Sequence, residues 1–159
     1  MQMEEFHWAL DLLQHLDVGM IVIDRHYRIQ AWNNFVENHS TLSLQGSHSK
    51  LLFEIFREIP EDWFRNKVDA VFLLENRAFT IWEQRPYVFR FKNYQPITGI
   101  VDYMYQNLSL VPLRALDGQV SHVGILIYDV TDAALAKEAL RAANHRLERI
   151  GRNRTEISE

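Results

Sequence analysis

Residues 123–132 read Val-Gly-Ile-Leu-Ile-Tyr-Asp-Val-Thr-Asp, and within them an apolar strand pattern gives way to a helical one. Thr131 or Asp132 can accept a hydrogen bond from the free N–H groups of a first helical turn, and the charge of Asp132 suits the positive end of the helix dipole. Together with Asp129, these residues would join a sheet directly to a helix. The stretch therefore predicts a relay that transmits changes in a globular core, and it does not predict an active site.

Apolar residues continue beyond Asp132 in alternating steps of three and four positions. They are Ala133, Ala136, Leu140, Ala143, Leu147 and Ile150. This spacing is typical of a coiled-coil seam, and the N-terminal residues Met3, Phe6, Leu10 and Leu13 repeat it. Both helices would bury these stripes against the same helices of a second copy, so a homodimer is expected, with its parallel or antiparallel arrangement left open. Alanine at half of the C-terminal seam positions predicts weak and adjustable pairing.

The composition favours one globular domain with peripheral helices, because 47% of the 159 residues are apolar and 12% are aromatic. The absence of cysteine excludes disulfides, thiolate catalysis and a cysteinyl–flavin adduct. A net charge of −4 argues against a nucleic-acid surface, which is usually basic. No apolar run approaches the ~20 residues that span a bilayer, and the N-terminus lacks a signal peptide. The expected location is therefore the cytoplasm.

The order of local patterns predicts an α+β protein. In chain order the predicted elements are a helix over 3–16, strands over 20–23 and 28–32, a short helix from Phe35, a helix over 61–74, and strands over 78–83, 101–113 and 119–128. Strands at both ends with helices between them predict an antiparallel sheet whose helices are grouped on one side.

Three local signals support these elements. Asn33 or Asn34 can cap the short helix, Pro60 suits the first turn of helix 61–74, and Asp117-Gly118 is a turn signal before the last strand. The predicted inner face of helix 61–74 consists of Phe64, Val68, Val71 and Leu74.

This order, with its motifs, resembles the PAS domain over roughly residues 10–132. The residues that carry the likeness are 18–24, 28–33, Asp117-Gly118 and the final Asp129-Val-Thr-Asp132. The resemblance implies a five-stranded antiparallel sheet with short helices on one face. It also implies a domain organisation of an amphipathic helix (1–17), a PAS sensor (18–132), a signalling helix (133–150) and a linker (151–159).

Residues 82–87 and 94–99 resemble a PAS subgroup found ahead of bacterial diguanylate cyclase (GGDEF) domains, and residues 152–156 are similar to the linker into such a cyclase. The resemblance implies a sensory and dimerisation module, without catalysis of its own, that regulates an attached output domain making cyclic di-GMP. No GGDEF motif occurs within the chain. The sequence after His145 lacks the phosphoacceptor pattern of a histidine-kinase transmitter, which disfavours that output.

Enzyme and cofactor signals are weak. The chain has no phosphate-binding glycine loop, no G-x-S-x-G and no H-E-x-x-H. The pairs His7/Asp11 and His145/Glu148 lack third and fourth ligands, so no metal site is predicted. Haem-binding PAS relatives place a ligating His on or beside the last inner helix, and helix 61–74 contains none. Non-covalent flavin stays open, and the cofactor is unknown.

Aromatic residues are dense between positions 32 and 105. Trp63, Phe89 and Phe91 are predicted to fill the core. A small-ligand site combines an aromatic wall with a few polar groups, and the candidate residues for one are Trp32, Trp82, Arg85, Tyr87, Tyr105 and Asn107. An anionic ligand paired with Arg85 and a cationic ligand held by Trp and Tyr faces are both open. The alternative functions are a ligand-free PAS scaffold for dimerisation and a flavin or haem redox sensor.

Overall fold

The computed structural model describes residues 2–93 and 102–158, with side chains through Arg154. The motif at residues 94–99 lies outside the described residues. The chain forms two compact units, the first ending at Asp129 and the second beginning at Val130.

Eleven helices and strands are described. Along the chain they are α1 (Met3–Gln14), β1 (Val18–Asp24), β2 (Ile29–Trp32), α2 (Asn34–Ser40), α3 (Leu44–Ser47), α4 (Leu52–Ile55), α5 (Glu61–Leu74), β3 (Ala78–Thr80), β4 (Gln106–Arg114), β5 (Val120–Asp129) and α6 (Thr131–Ser158). The strands form one antiparallel sheet in the order β2-β1-β5-β4-β3. The predicted α+β class and five-stranded antiparallel sheet are therefore confirmed.

One face of the sheet forms the core, because side chains alternate between the two faces of a strand. Ile21 of β1 lies opposite Ile125 of β5, which lies opposite Leu110 of β4, and all three are at most 2% exposed. Helix α5 packs on β3, β4 and β5, and α2 packs on β1. A Cβ added at Gly19 would lie 3.0 Å from the Phe35 ring, so the missing side chain allows α2 to approach β1 closely.

Aromatic side chains fill the space between the helices and the sheet. The Phe56 ring lies 5.0 Å from Phe89 and 5.9 Å from Trp32, and Phe53 meets Phe64 edge-to-face at 6.1 Å. The core positions predicted for Phe89 and Phe91 are confirmed, since both are fully buried. Trp63 is only half-buried, and its exposed part is described below.

Helix α5 has the predicted bounds, with Pro60 at its N-cap position. Phe64, Val68 and Val71 are buried as predicted, but the prediction for Leu74 was wrong, because its side chain is 63% exposed. Leu74 is the last helical residue, and the chain leaves the helix through a left-handed conformation at Glu75 (φ 57°), so the apolar stripe is not continued onto the sheet.

Asn33 occupies the predicted N-cap position of α2, but its side chain does not cap that helix. Its Oδ1 accepts a hydrogen bond from the Met20 N–H (3.1 Å), while its Nδ2 donates to the carbonyls of Val18 (2.7 Å) and Leu13 (3.1 Å). Asn33 is 3% exposed, so these bonds satisfy a buried carboxamide and join the end of α1 to β1.

Two strands are shorter than predicted. β3 ends at Thr80, because the next residues form a turn in which Gln84 N–H and Arg85 N–H both donate to the Ile81 carbonyl (3.1 and 3.2 Å). β4 begins at Gln106, so Tyr105 precedes the strand.

Helix α6 begins inside the predicted capping motif and continues past Ile150 to Ser158, for 28 residues. The predicted seam residues Leu140, Leu147 and Ile150 are 61%, 66% and 51% exposed. Helix α1 likewise buries none of its residues. Within the part of the chain that the structure describes, no helix is both long enough and apolar enough to cross a membrane.

Tyr27, in the turn between β1 and β2, joins this hairpin to α5. It is 3% exposed and has a left-handed backbone (φ 62°). Its hydroxyl donates to Asp69 Oδ1, and the Arg65 guanidinium lies 4.5 Å from the ring centroid. Burial raises the pKa of Tyr27 above its ordinary range, and the hydrogen bond to the Asp69 carboxylate raises it further.

We expect Tyr27→Phe to lower the free energy of unfolding near neutral pH by roughly 0.5–1.5 kcal/mol, because one hydrogen bond is lost while Asp69 stays exposed to water. Unfolded Tyr27 ionises near its ordinary pKa of 10.0, whereas the raised pKa keeps it neutral in the folded state. The wild type therefore loses stability from this residue as the pH rises above 10.0, by at most about 1.4 kcal/mol per pH unit. Urea unfolding at neutral and alkaline pH measures both effects.

Tyr128→Phe is the matched control, because the Tyr128 hydroxyl makes no hydrogen bond within the described residues. The free energy of unfolding of Tyr128→Phe should depend on pH as that of the wild type does. If the free energy of unfolding of Tyr27→Phe falls with alkaline pH as steeply as that of the wild type, Tyr27 is not the residue that causes this loss of stability.

Candidate functional site

The segment 82–89, between β3 and β4, is fixed by a buried glutamine. Gln106, the first residue of β4, is fully buried. Its Oε1 accepts hydrogen bonds from the N–H groups of Val88 and Phe89 (both 3.1 Å), and its Nε2 donates to the Phe89 carbonyl (2.8 Å). The Gln106 backbone N–H also donates to the Pro86 carbonyl (2.9 Å). The Gln106 side chain thus satisfies backbone groups of an irregular segment that has no neighbouring strand to bond them.

Asn107 fixes the beginning of the same segment. Its Oδ1 accepts a hydrogen bond from the Trp82 N–H (2.9 Å). The Trp82 indole meets Tyr105 edge-to-face at 5.5 Å, and the Tyr87 ring lies 5.8 Å from Tyr103. These predicted ligand residues are half-buried, so they present an aromatic surface to solvent beside the start of β4.

Arg85 extends from this segment to α5. Its guanidinium lies 4.3 Å from the centroid of the Trp63 ring, and the ammonium of Lys67 lies 5.4 Å from the same centroid. Lys67 also donates to the Phe79 carbonyl over a long 3.5 Å. Among the residues that the structure describes, neither cation has a carboxylate within 4.0 Å. The pair is therefore a positive site beside an indole ring, with no neutralising carboxylate among the described residues.

Five of the six predicted ligand residues belong to segment 82–89 or to the start of β4, and they make separate contacts there. Trp32 lies elsewhere. Trp32 ends β2, which is separated from β4 by β1 and β5. It is 5% exposed, packs on Phe56, and donates its indole N–H to Glu37 Oε1 (3.3 Å). It borders a separate groove of about 230 Å³ between α1 and the outer face of the sheet. Its main role is core packing, so the prediction of a single site containing Trp32 needs correction.

Gln106, Lys67 and Trp63 were not among the predicted site residues. The only sequence signal for Gln106 was a polar residue within the predicted strand 101–113. Trp63 and Lys67 are four positions apart on α5, which places them on one face of the helix, but the sequence cannot indicate that Arg85 reaches the same face.

The predicted relay residues lie at the end of β5 and the start of α6. Gln106 pairs with Asp129 across the β4–β5 ladder, and Asn107 pairs with Tyr128. Only Val130 separates the end of β5 from the start of α6 at Thr131. The residues that fix segment 82–89 therefore lie opposite the last residues of β5 in the sheet.

Comparison with solved structures finds PAS domains. A sensory box sensor histidine kinase from Vibrio cholerae is 27% identical (TM-score 0.58), and the match covers 80% of this chain and 93% of that one. A PAS domain from Colwellia psychrerythraea is 11% identical (TM-score 0.59), covering 80% and 98%. An RNA-binding light-oxygen-voltage receptor is 14% identical (TM-score 0.62), covering 91% and 39%. No family model and no curated protein matches the sequence. The architecture is that of the PAS fold.

We expect Gln106→Leu to lower the free energy of unfolding by roughly 2–5 kcal/mol, because it leaves the buried N–H groups of Val88 and Phe89 without their acceptor. Gln84→Leu is the matched control, because Gln84 is exposed, and its effect should stay within about 0.5 kcal/mol. Urea unfolding followed by circular dichroism compares the two variants. A loss from Gln106→Leu no larger than that of the control would show that the carboxamide does not fix the segment.

Proposed function

We propose that this chain is a PAS sensory and dimerisation module, without catalytic activity of its own, that binds a small ligand at segment 82–89. The ligand alters the start of β4, and the β4–β5 ladder transmits the change to α6 through Asp129, Thr131 and Asp132. The observation that carries this proposal is the pairing of Gln106 with Asp129, two positions before α6 begins.

The antiparallel ladder supports transmission over this distance. β4 and β5 pair along their whole length, so a displacement of the start of β4 strains the ladder that holds Asp129 opposite Gln106. The connection between β5 and α6 contains one residue, Val130. A strand joined to a helix by so short a connection supports a mechanical relay of the kind proposed.

Exposed apolar residues support dimerisation. Phe6 and Trp8 of α1 are 56% and 64% exposed, and Leu140 and Leu147 of α6 are 61% and 66% exposed. Apolar surfaces of this kind mark interaction sites in soluble proteins. A second copy of the chain would cover both helices, and paired α6 helices would carry the signal to two output domains.

The output domain we propose is a diguanylate cyclase, on the resemblance of residues 82–87 and 152–156 to cyclase-linked PAS domains. The likeness to a sensor histidine kinase from Vibrio cholerae makes a kinase the alternative output. A ligand-free PAS scaffold is the second candidate function, and the close packing of Phe56, Phe89 and Phe91 is the observation that favours it.

Disulfide formation between two copies of the chain tests both the dimer and the relay. The chain has no cysteine, so a disulfide can form only at the position where one is introduced. Leu140→Cys should form a covalent dimer on mild oxidation, since Leu140 lies on the predicted seam. Adding Asn107→Ala to this variant should change the rate of disulfide formation, because the Trp82 N–H loses its partner. Non-reducing gel electrophoresis over time measures both results.

Glu138→Cys is the matched control, because position 138 faces away from the seam. It should remain largely monomeric on the same gel. Equal dimer formation by the two cysteine variants would contradict the seam, and an Asn107→Ala rate identical to that of its parent would contradict the relay.

A further inference from the structure

We infer that the ligand of this site is an organic anion, bound by Arg85 and Lys67 beside Trp63. The inference rests on the ligand-binding function proposed above and names the chemical class of the ligand. The sequence left both an anionic and a cationic ligand open. The positions of the two cations on one indole ring decide between them.

The hydrogen-bond donors of Arg85 are available to a ligand. Its guanidinium carbon lies over the Trp63 ring, 4.3 Å from the centroid, and its side chain donates no hydrogen bond within the described residues. A cation–π contact leaves N–H groups of a guanidinium unused as hydrogen-bond donors. These groups match the two oxygens of a carboxylate in a bidentate arrangement.

Lys67 adds a second positive charge to the same ring. Its ammonium lies 5.4 Å from the Trp63 centroid, and its only described acceptor is the Phe79 carbonyl at 3.5 Å. A cationic ligand would approach two like charges and would find the ring already occupied by cations. An anion would be attracted by both, so the site selects negative charge although the whole chain carries −4.

The aromatic residues of the segment indicate the rest of the ligand. Trp82 and Tyr105 meet edge-to-face at 5.5 Å and are half-buried, and Arg85 belongs to the same turn as Trp82 because its N–H donates to the Ile81 carbonyl (3.2 Å). A flat apolar group can pack on these rings while a carboxylate binds Arg85. The class that fits is a small carboxylate with an aromatic or otherwise planar body.

Three probes of nearly equal shape test the charge requirement: benzoate, benzyl alcohol and benzylammonium. Each is titrated into the ¹⁵N-labelled chain at matched ionic strength, and the indole N–H signal of Trp63 is identified with Trp63→Phe. Benzoate should shift this signal saturably, and the other two probes should bind at least about tenfold more weakly.

Substitutions locate the binding. Arg85→Gln should weaken benzoate binding about tenfold or more, and Lys67→Gln should weaken it by a smaller factor of about threefold. Arg57→Gln is the matched control, because Arg57 is an exposed arginine whose loss changes the net charge equally, and it should leave the affinity nearly unchanged. The amide spectra of all variants verify that the fold is retained.

Each adverse result has a distinct meaning. If benzyl alcohol or benzylammonium binds at Trp63 as tightly as benzoate, the anion assignment is wrong while a small-ligand site remains. If benzoate binds equally well to Arg85→Gln, or if no probe shifts the Trp63 signal, the site at Arg85 and Lys67 is overturned. Neither result affects the dimer or the relay, which the disulfide experiment tests independently of any ligand.

Discussion

The buried carboxamide of Gln106 is the constraint on which the candidate site depends. Three hydrogen bonds from one fully buried side chain hold the backbone of Val88 and Phe89, which no strand partner could satisfy. Their loss would leave polar groups in an apolar interior, where they are costly. Because Gln106 pairs with Asp129, the same residue connects segment 82–89 with the end of β5. In the proposed mechanism, the position of the ligand and the transmission of the signal therefore depend on the same residue.

The two sides of the sheet differ in how their polar side chains are satisfied. At the β1–β2 side, Asn33 makes three hydrogen bonds and the Tyr27 hydroxyl is bonded to Asp69, so these groups stabilise the fold. At the β3–β4 side, Arg85 and Lys67 lie on an indole without a described carboxylate partner. Polar groups bonded within the protein have a structural role, whereas unneutralised cations on an aromatic surface are suited to a ligand. This contrast is the physical reason for locating the proposed ligand at the second side.

The regular spacing of apolar residues made the fold predictable from the sequence. The candidate site was less predictable, because its side chains bond residues that are distant along the chain. The apolar spacing of helix 61–74 gave its bounds and three of its four inner residues, and Asp117-Gly118 gave the last turn. Asn33 was predicted as a helix cap because capping is a local rule, but its partners lie on α1 and β1. Trp32 was assigned to the ligand site for its residue type alone. Gln106 was missed because its partners are 17 and 18 positions away, beyond any local pattern.

Hydrogen exchange measured by mass spectrometry on Asn107→Ala tests the central coupling most directly, because the bond from the Trp82 N–H is the one hydrogen bond that the Asn107 side chain makes within the described residues. The account predicts faster exchange both in segment 82–89 and in the first turn of α6, where the Ala134 N–H donates to the Val130 carbonyl, while β1 and β2 stay unchanged. Faster exchange confined to segment 82–89, with the first turn of α6 as protected as in the wild type, would contradict it.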